Sequence, residues 1–284
     1  MTARIIALID GSIYSQSVCE HAAWVAGRTG WCVELMHVLG RRDSADKTDL
    51  SGSIALGARS ALLADLAELD AQRARLVAHR GRAILEDARA ILDAAGIDDI
   101  TTRLRHGDIV DTLTAQEVGA ELVMIGKRGE AADFARGHLG SNLERIARAT
   151  HKPVFVASRA FRPISRVLIA FDGGVSSIRA VEHVAHSPLY AGLAVHVVTV
   201  GTPGGAVRTG LADAQALLKA AGFAVSAGVI EGQPDKALGD FVDEQGFDML
   251  VMGAYGHSRI RSLIIGSTTT EMIRSCKVPV VLIR

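Results

Sequence analysis

Residues 252–268 read MGAYGHSRIRSLIIGST and connect an apolar run at residues 249–252 to a stretch of helical character at residues 269–276. The apolar run is typical of a parallel strand that is buried on both faces. Two glycines three positions apart follow it, and after nine further residues a Gly-Ser-Thr triplet opens the helix. Glycines let a backbone pass close to a bulky anion, and a helix N-terminus with hydroxyl side chains offers N–H and O–H donors. The stretch therefore predicts a strand, a loop and a helix that together form a phosphate cradle.

Most features of this unit occur twice in the chain. Residues 4–10 read RIIALID and residues 166–172 read RVLIAFD, and each is followed by two small residues. Four further pairs match: Glu20-His21-Ala22 with Glu182-His183-Val184, Gly30 with Gly192, Gly107-Asp108 with Gly232-Gln233, and ELVMIG at 121–126 with DMLVMG at 248–253. An internal repeat of this length predicts two copies of one structural unit.

In each copy, short apolar segments alternate with helical stretches. This alternation predicts right-handed βαβ crossovers and an α/β fold with a parallel sheet covered on both faces. The predicted strands are residues 4–9, 33–38, 101–105, 122–125 and 154–157, then 167–171, 195–200, 224–230, 249–252 and 280–283. Residues 158–165 form the predicted linker, so we expect one domain at 1–158 and another at 165–284.

The first copy is longer than the second. From Asp10 to Gly107 is 97 positions and from Asp172 to Gly232 is 60, so 37 extra residues lie within about 41–95. Apolar residues recur there at helical spacing, and no proline precedes Pro153. The pattern favours a longer helix that covers the sheet, with a break at Gly81. The alternative is a lid or a dimer arm.

Composition restricts the classes of function. The chain has 31 basic and 31 acidic residues and zero formal net charge, which argues against nucleic acid and acidic membranes as partners. Its three cysteines have no paired spacing, which indicates free thiols in a reducing compartment: Cys19, Cys32 and Cys276. No apolar run approaches the ~20 residues that a membrane helix needs. We therefore expect a soluble, cytoplasmic protein with no membrane partner.

An aspartate follows the first strand of each copy, at Asp10 and Asp172. Ligands of open parallel sheets bind at the carboxyl ends of strands, where a carboxylate can accept hydrogen bonds from a ribose or an amine. The alternative is an aspartate that starts a turn or caps the next helix. His183 and His186 share a helical face, but no third metal ligand accompanies them, so we predict no metal site. The sequence has no G-x-S-x-G, H-E-x-x-H or Walker loop, and we predict no catalytic residue.

With these features together, the chain resembles the universal stress protein family in its tandem form, with two UspA-type domains. The family's nucleotide-binding members carry G-x2-G-x9-G-(S/T), and the second half has this pattern in full. The resemblance implies two tandem doubly wound domains, each with a five-stranded parallel sheet of order 3-2-1-4-5. They would pack as a pseudo-dimer through their last strands.

The resemblance also implies which residues hold a nucleotide in the second half. Asp172 and the backbone of Val200 would contact the adenine and ribose. The glycines and hydroxyls of the cradle would hold the phosphates: Gly253, Gly256, Gly266, Ser267 and Thr268. Within the loop, His257 and Arg259 would add positive charge, or would simply be exposed polar residues.

A second, weaker site is predicted in the first half. Its two Gly-containing segments are separated by ten residues rather than nine, which departs from the family pattern. Lys127 and Arg128 would attract a triphosphate, whereas Glu130 and Asp133 would repel it. The predicted site comprises Asp10, Val38, Gly126, Gly129, Gly140, Ser141 and Asn142.

The function that the resemblance implies is binding of ATP or AMP, with Mg²⁺ as a companion ion, by a stress-response sensor or regulator. Its ligand would change its contacts with an unknown protein partner. One alternative is a slow ATPase or adenine-nucleotide hydrolase, and another is a nucleotide-free interaction scaffold. The protein would be a monomer, as an intramolecular pseudo-dimer, or a homodimer.

Overall fold

The computed structural model of the protein describes residues 3–40, 56–127, 141–254 and 267–284. The first half contains, in order, β1 (Arg4–Leu8), α1 (Ser15–Thr29), β2 (Cys32–Leu39), α2 (Leu56–Ala94), β3 (Ile100–His106), α3 (Ile109–Gln116), β4 (Ala120–Gly126), α4 (Ser141–Ala149) and β5 (Val154–Ala157). The second contains β6 (Arg166–Ala170), α5 (Val175–His186), a 3-10 turn (Pro188–Tyr190), β7 (Ala194–Val200), α6 (Gly205–Ala220), β8 (Val225–Ile230), α7 (Pro234–Gln245), β9 (Met249–Gly253), α8 (Ser267–Ser275) and β10 (Val280–Ile283). All ten predicted strands are present, and their ends differ from the prediction by at most two residues.

The strands form one ten-stranded sheet of order β3-β2-β1-β4-β5-β10-β9-β6-β7-β8. Within each half the strands are parallel, in the predicted order 3-2-1-4-5. The halves join through β5 and β10, which are antiparallel and set Val156 opposite Val280. This pairing confirms the pseudo-dimer. It also places the carboxyl ends of the two sets of parallel strands at opposite edges of the sheet.

Helices cover both faces of this sheet. One apolar core lies beneath α1, α2, α5 and α6, and the other lies beneath α3, α4, α7 and α8. Each core contains residues of both halves, such as Ile5 and Val167 in the first and Ile6 and Leu168 in the second. The central strands are buried on both faces, which explains why they are continuous apolar runs in the sequence.

Basic side chains of each half also bind carbonyl groups of the other. The Lys127 ammonium donates to the carbonyl of Cys276, just after α8. The Arg284 guanidinium donates to the carbonyl of Arg148 in the last turn of α4, at 2.8 Å. Carbonyls at a helix C-terminus carry partial negative charge and lack partners within the helix, so a cation there is stabilising. Arg28 similarly donates to the carbonyl of Leu189 at 2.8 Å.

The repeat extends to backbone conformation. Gly11 and Gly173 both have a φ of 77°, in the turns that follow β1 and β6. Gly107 and Gly232 have φ values of 131° and 120°, in the turns that follow β3 and β8. Residues with side chains rarely adopt these angles, so glycine recurs where the two copies need the same turn.

Helix α2 passes through Gly81 without a break, so the predicted break is wrong. A Cβ on Gly81 would lie 2.7 Å from Leu104 Cδ1 and 3.0 Å from His37 Cδ2. The glycine therefore lets the helix approach β2 and β3 closely. Beyond it, Leu85, Ala88 and Leu92 are buried against the sheet, so the C-terminal part of α2 covers this face.

Candidate functional site

The predicted nucleoside-contact residues of the second half lie at one edge of the sheet. Asp172 follows β6 by two residues, Val200 ends β7, and Gly253 ends β9. Because β6 lies between β7 and β9 and all three are parallel, these residues are neighbours at the carboxyl edge. The repeat in the first half brings together Asp10, Val38 and Gly126 at the ends of β1, β2 and β4.

Both aspartates organise the turn that follows them. Asp172 Oδ1 accepts a hydrogen bond from the N–H of Gly174 at 2.8 Å. Asp10 Oδ1 accepts from the N–H of Ser12 at 2.9 Å and from the Ser15 hydroxyl at 3.3 Å. The turn-forming role considered from the sequence is therefore present in both copies. Asp172 is exposed and Asp10 is half-buried, so both residues remain accessible to solvent at the strand ends.

Gly253 brings the end of β9 against the first turn of α5. A Cβ on Gly253 would lie 2.8 Å from Ser176 Cβ and 3.0 Å from the Ser176 carbonyl carbon. Those distances are too short for any real side chain, so the glycine is required by packing. The first glycine of the cradle thus lies beside the turn that Asp172 forms.

The N-terminus of α8 also lies beside the end of β9. The hydroxyl of Thr269, in the first turn of α8, lies 3.4 Å from the carbonyl oxygen of Gly253 and 3.5 Å from that of Ala254. The N-terminal turns of α5 and α8 therefore converge on the end of β9. A helix N-terminus carries a positive dipole end, so the convergence of two of them favours an anion.

In the first half, α4 takes the place of α8. It begins at Ser141, and Asn142 is exposed in its first turn. Arg145, one turn further, pairs with Asp108 at 2.6 Å, and this bond lowers the pKa of Asp108 below its usual value. Asp108 also caps α3 by accepting from the N–H of Val110 at 2.9 Å. The Arg145 guanidinium, near the N-terminus of α4, is therefore already paired with a carboxylate.

Lys127 differs from its predicted role. Its side chain is 7% exposed, and its ammonium donates to the carbonyl of Cys276 in the other half. This placement contradicts the prediction that Lys127 attracts the phosphates of the first site. The side chain reaches a partner 149 positions away in the chain, which adjacency to Gly126 does not reveal.

Several predicted residues lie outside the part of the chain that the structure describes. They are Gly256, His257, Arg259 and Gly266 in the second half, and Gly129 and Gly140 in the first, with the neighbouring Arg128, Glu130 and Asp133. Helix positions are described for Ser141, Ser267 and Thr268, although their side chains are not. These assignments stay predictions.

Two residues that the sequence analysis did not select lie beside the aspartate turns. Ile13 is 56% exposed and Val175 is 61% exposed, and they occupy equivalent positions in the two copies. Exposed β-branched side chains next to a carboxylate provide an apolar surface for a flat ring. The recurrence of an apolar residue three positions after each aspartate was the available signal.

The two histidines considered as metal ligands have separate environments. His183 packs edge-on against Tyr190, with ring centroids 5.6 Å apart, and burial lowers its pKa to about 4. His186 Nδ1 lies 2.7 Å from the carbonyl oxygen of Glu182. Within the described ranges, no group of three His, Cys, Asp or Glu side chains is placed to hold a metal ion. No helix in these ranges is long and apolar enough to cross a membrane.

Comparison with known proteins shows clear relatives. The model of the universal stress protein family matches residues 1–158 and 205–284. The universal stress protein Slr1230 of Synechocystis is 36% identical over 285 residues, which cover 99% of each chain. The crystal structure of a universal stress protein from Archaeoglobus fulgidus aligns with a TM-score of 0.73 at 21% identity, covering 99% of this chain and 96% of that one. Protein PA1789 of Pseudomonas aeruginosa aligns with a TM-score of 0.62 at 17% identity, covering 99% of this chain and 92% of its own. These two structures share the fold.

Proposed function

Because the chain belongs to the universal stress protein family, we propose that its second half binds an adenine nucleotide, ATP or AMP, at the carboxyl ends of β6, β7 and β9. The observation that carries this proposal is the convergence of the N-terminal turns of α5 and α8 on Gly253, beside Asp172. Two helix N-termini supply donors and positive potential for phosphate. The neighbouring carboxylate supplies an acceptor for the nucleoside.

Each part of the ligand has its own set of groups in this proposal. The phosphates bind the intact cradle, which comprises Gly253, Gly256, Gly266, Ser267 and Thr268, with His257 and Arg259 adding positive charge and Mg²⁺ as a companion ion. The ribose and the adenine amine bind Asp172 and the backbone of Val200. Val175 adds an apolar contact for the ring, because its side chain is exposed beside the Asp172 turn.

The first half offers a weaker site, made of Asp10, Val38, Gly126, Gly129, Gly140, Ser141 and Asn142. The Lys127 ammonium donates to the carbonyl of Cys276 in the other half, and Arg145 is paired with Asp108. Both side chains therefore already have partners other than a phosphate. We assign each site to its own domain, with boundaries at 1–158 and 165–284.

The chemistry of the second edge favours holding the nucleotide over cleaving it. Asp172 accepts a hydrogen bond from the N–H of Gly174, and the proposal assigns its carboxylate to the nucleoside rather than to catalysis at a terminal phosphate. Efficient hydrolysis needs a base that reaches the attacking water and a group that orients that base. The proposed role is therefore that of a stress-response sensor whose bound nucleotide changes its contacts with a protein partner.

A thermal-shift measurement tests the binding. A ligand present at 100 times its Kd stabilises the native state by about 2.7 kcal/mol, so millimolar ATP or AMP with Mg²⁺ is expected to raise Tm. The variant Gly266→Val is expected to lose most of the shift, whereas the matched variant Gly140→Val in the first half retains it. A Tm that neither nucleotide moves would indicate a nucleotide-free scaffold and contradict the proposal.

A further inference from the structure

Among the side chains of α2 that the structure describes, those from residue 62 onward, the buried ones lie in the C-terminal part of the helix. Between residues 62 and 80 every side chain is exposed or half-buried, and the exposed ones include three leucines: Leu63 at 58%, Leu69 at 60% and Leu76 at 71%. At 1.5 Å per residue, this segment is about 28 Å long. We call residues 62–80 the arm.

The arm leaves the body at the carboxyl edge of the first half. Ile84 lies against the turn after β1, since a Cβ on Gly11 would be 2.7 Å from Ile84 Cδ1. Gly81 lies against His37, near the end of β2. Because the chain continues from α2 into the start of β3, the helix runs opposite to the strands. Residues that precede Gly81 therefore extend beyond this edge.

One stripe of the arm has the spacing of a coiled-coil seam. Leu62, Leu66, Leu69 and Leu76 follow one another at intervals of four, three and seven residues, with Arg73 at the intermediate position. Intervals of three and four place these side chains on one face of a helix. In this stripe Leu69 and Leu76 are exposed and Leu62 and Leu66 are half-buried. An apolar stripe of this kind indicates a surface that another helix covers.

The charges of the arm point to the identity of that helix. Residues 62–70 carry three acidic side chains and no basic one: Asp65, Glu68 and Asp70. Residues 71–80 carry three arginines and no acidic side chain: Arg73, Arg75 and Arg80. Two such helices side by side in the same direction would set like charges against each other. In opposite directions, the acidic part of each lies against the basic part of the other.

From the leucine stripe and the segregated charges, we propose that the arm is a dimerisation device that pairs antiparallel with the arm of a second copy of this chain. A twofold axis near the middle of the arm satisfies both features at once, because each contact then occurs twice. The interface is separate from the β5–β10 junction, which is already used within the chain. The two bodies lie at opposite ends of the paired arms.

A charge-exchange experiment tests this arrangement with the full-length protein. One variant carries Asp65→Arg and Asp70→Arg, and the other carries Arg73→Asp and Arg75→Asp. Light scattering after gel filtration is measured at about 100 μM and about 1 μM, concentrations that bracket a micromolar Kd. The wild-type chain is expected to be dimeric at the higher concentration and each variant alone monomeric. An equimolar mixture of the variants is expected to form the heterodimer, at least tenfold tighter than either self-pair.

Two further variants guard against misfolding and non-specific effects. Leu69→Lys is expected to abolish the dimer while leaving Tm in the dilute monomer unchanged, because residue 69 is exposed in the single chain. The control exchanges Arg89→Asp with Asp93→Arg, an exposed ion pair at 3.5 Å on the body part of the same helix, and is expected to dimerise like the wild type. A wild-type chain that is monomeric at 100 μM overturns the proposal. Dimers that persist equally in Leu69→Lys also overturn it.

Discussion

The backbone of Gly253 lies in direct contact with Ser176, and this contact leaves no space for a side chain at position 253. It joins the last residue of β9 to the first turn of α5, the helix that the Asp172 turn introduces. Replacing Gly253 with alanine would force that turn outward. We expect Gly253→Ala to lower the free energy of unfolding by about 1–3 kcal/mol, the usual cost of overpacking, and to reduce the Tm shift caused by nucleotide.

The matched control for this variant is Gly239→Ala. Gly239 lies within α7, and a Cβ there would meet nothing within 4 Å. Alanine is favoured over glycine inside a helix, so this variant is expected to gain up to about 1 kcal/mol. Urea denaturation of both proteins gives the comparison. Equal stabilities for the two variants would show that the Gly253–Ser176 contact relaxes without cost.

The variant Gly81→Ala tests the close packing of α2 on the sheet, and the sign of its effect on the free energy of unfolding decides the result. At an open helical position, glycine to alanine stabilises by about 1 kcal/mol, and Gly27→Ala in α1 is expected to do so because nothing lies within 4 Å of the new methyl group. At Gly81 the methyl group would lie 2.7 Å from Leu104 Cδ1. We expect Gly81→Ala to be destabilising by about 1–2 kcal/mol in urea denaturation. A gain in stability at Gly81 would contradict the close packing of α2 on the sheet.

The same glycine shows what the sequence reveals and what it hides. A glycine inside a helical pattern was interpreted as a break, because helix propensity is a local property. Its actual cause is contact with His37 and Leu104, which are distant in the chain. The positions of the central strands, by contrast, were predicted to within two residues, because a strand buried on both faces must be apolar along its whole length.

In the candidate site, too, the sequence revealed the residues that its repeat marks and hid the contacts between distant parts of the chain. The aspartates and glycines at the strand ends were identified because the internal repeat marks them twice, and the parallel sheet brings the ends of neighbouring strands together. The role of Lys127 was misassigned, because its partner, the carbonyl of Cys276, belongs to the other half. The exposed apolar residues Ile13 and Val175 were missed, because exposure is a property of the fold and not of the residue type.

Lys127 leads to a prediction about the junction between the halves. Its buried ammonium donates to the carbonyl of Cys276, so removing the charge leaves that carbonyl without this donor. We expect Lys127→Met to lower the free energy of unfolding by about 1.5–3 kcal/mol, the usual contribution of a charged hydrogen bond. Nucleotide affinity of the second half is expected to stay as in the wild type, as measured by calorimetry.

The control for this variant is Lys219→Met, at an exposed position in the last turn of α6. It removes the same charge where solvent surrounds the side chain, and a surface substitution of this kind changes stability by about 0.5 kcal/mol at most. A Lys127→Met protein with unchanged stability and weakened nucleotide binding would instead indicate that Lys127 binds phosphate.

His21 and His183 occupy equivalent positions in α1 and α5, and both rings are held away from water. Burial lowers the pKa of each from 6.5 to about 4, although the Ser17 carbonyl and Glu20 act in the opposite direction on His21. His21 packs between Phe155 and Phe161, and no hydrogen-bond partner for Nε2 of either histidine is found among the described residues. The neutral imidazole therefore suits the folded state, whereas the unfolded chain protonates near pH 6.5.

This difference predicts that stability is complete above pH 6.5 and falls as the pH drops towards 4. In that window the unfolded state binds more protons than the native state, so each histidine costs about 1.4 kcal/mol per pH unit and about 3 kcal/mol by pH 4. Urea denaturation between pH 7 and pH 5 measures the slope, above the range in which most carboxylates titrate. His183→Phe is expected to reduce the slope, and the double variant with His21→Phe is expected to reduce it further. An acid-induced loss of stability that is the same in the wild type and the double variant would assign the effect to other groups.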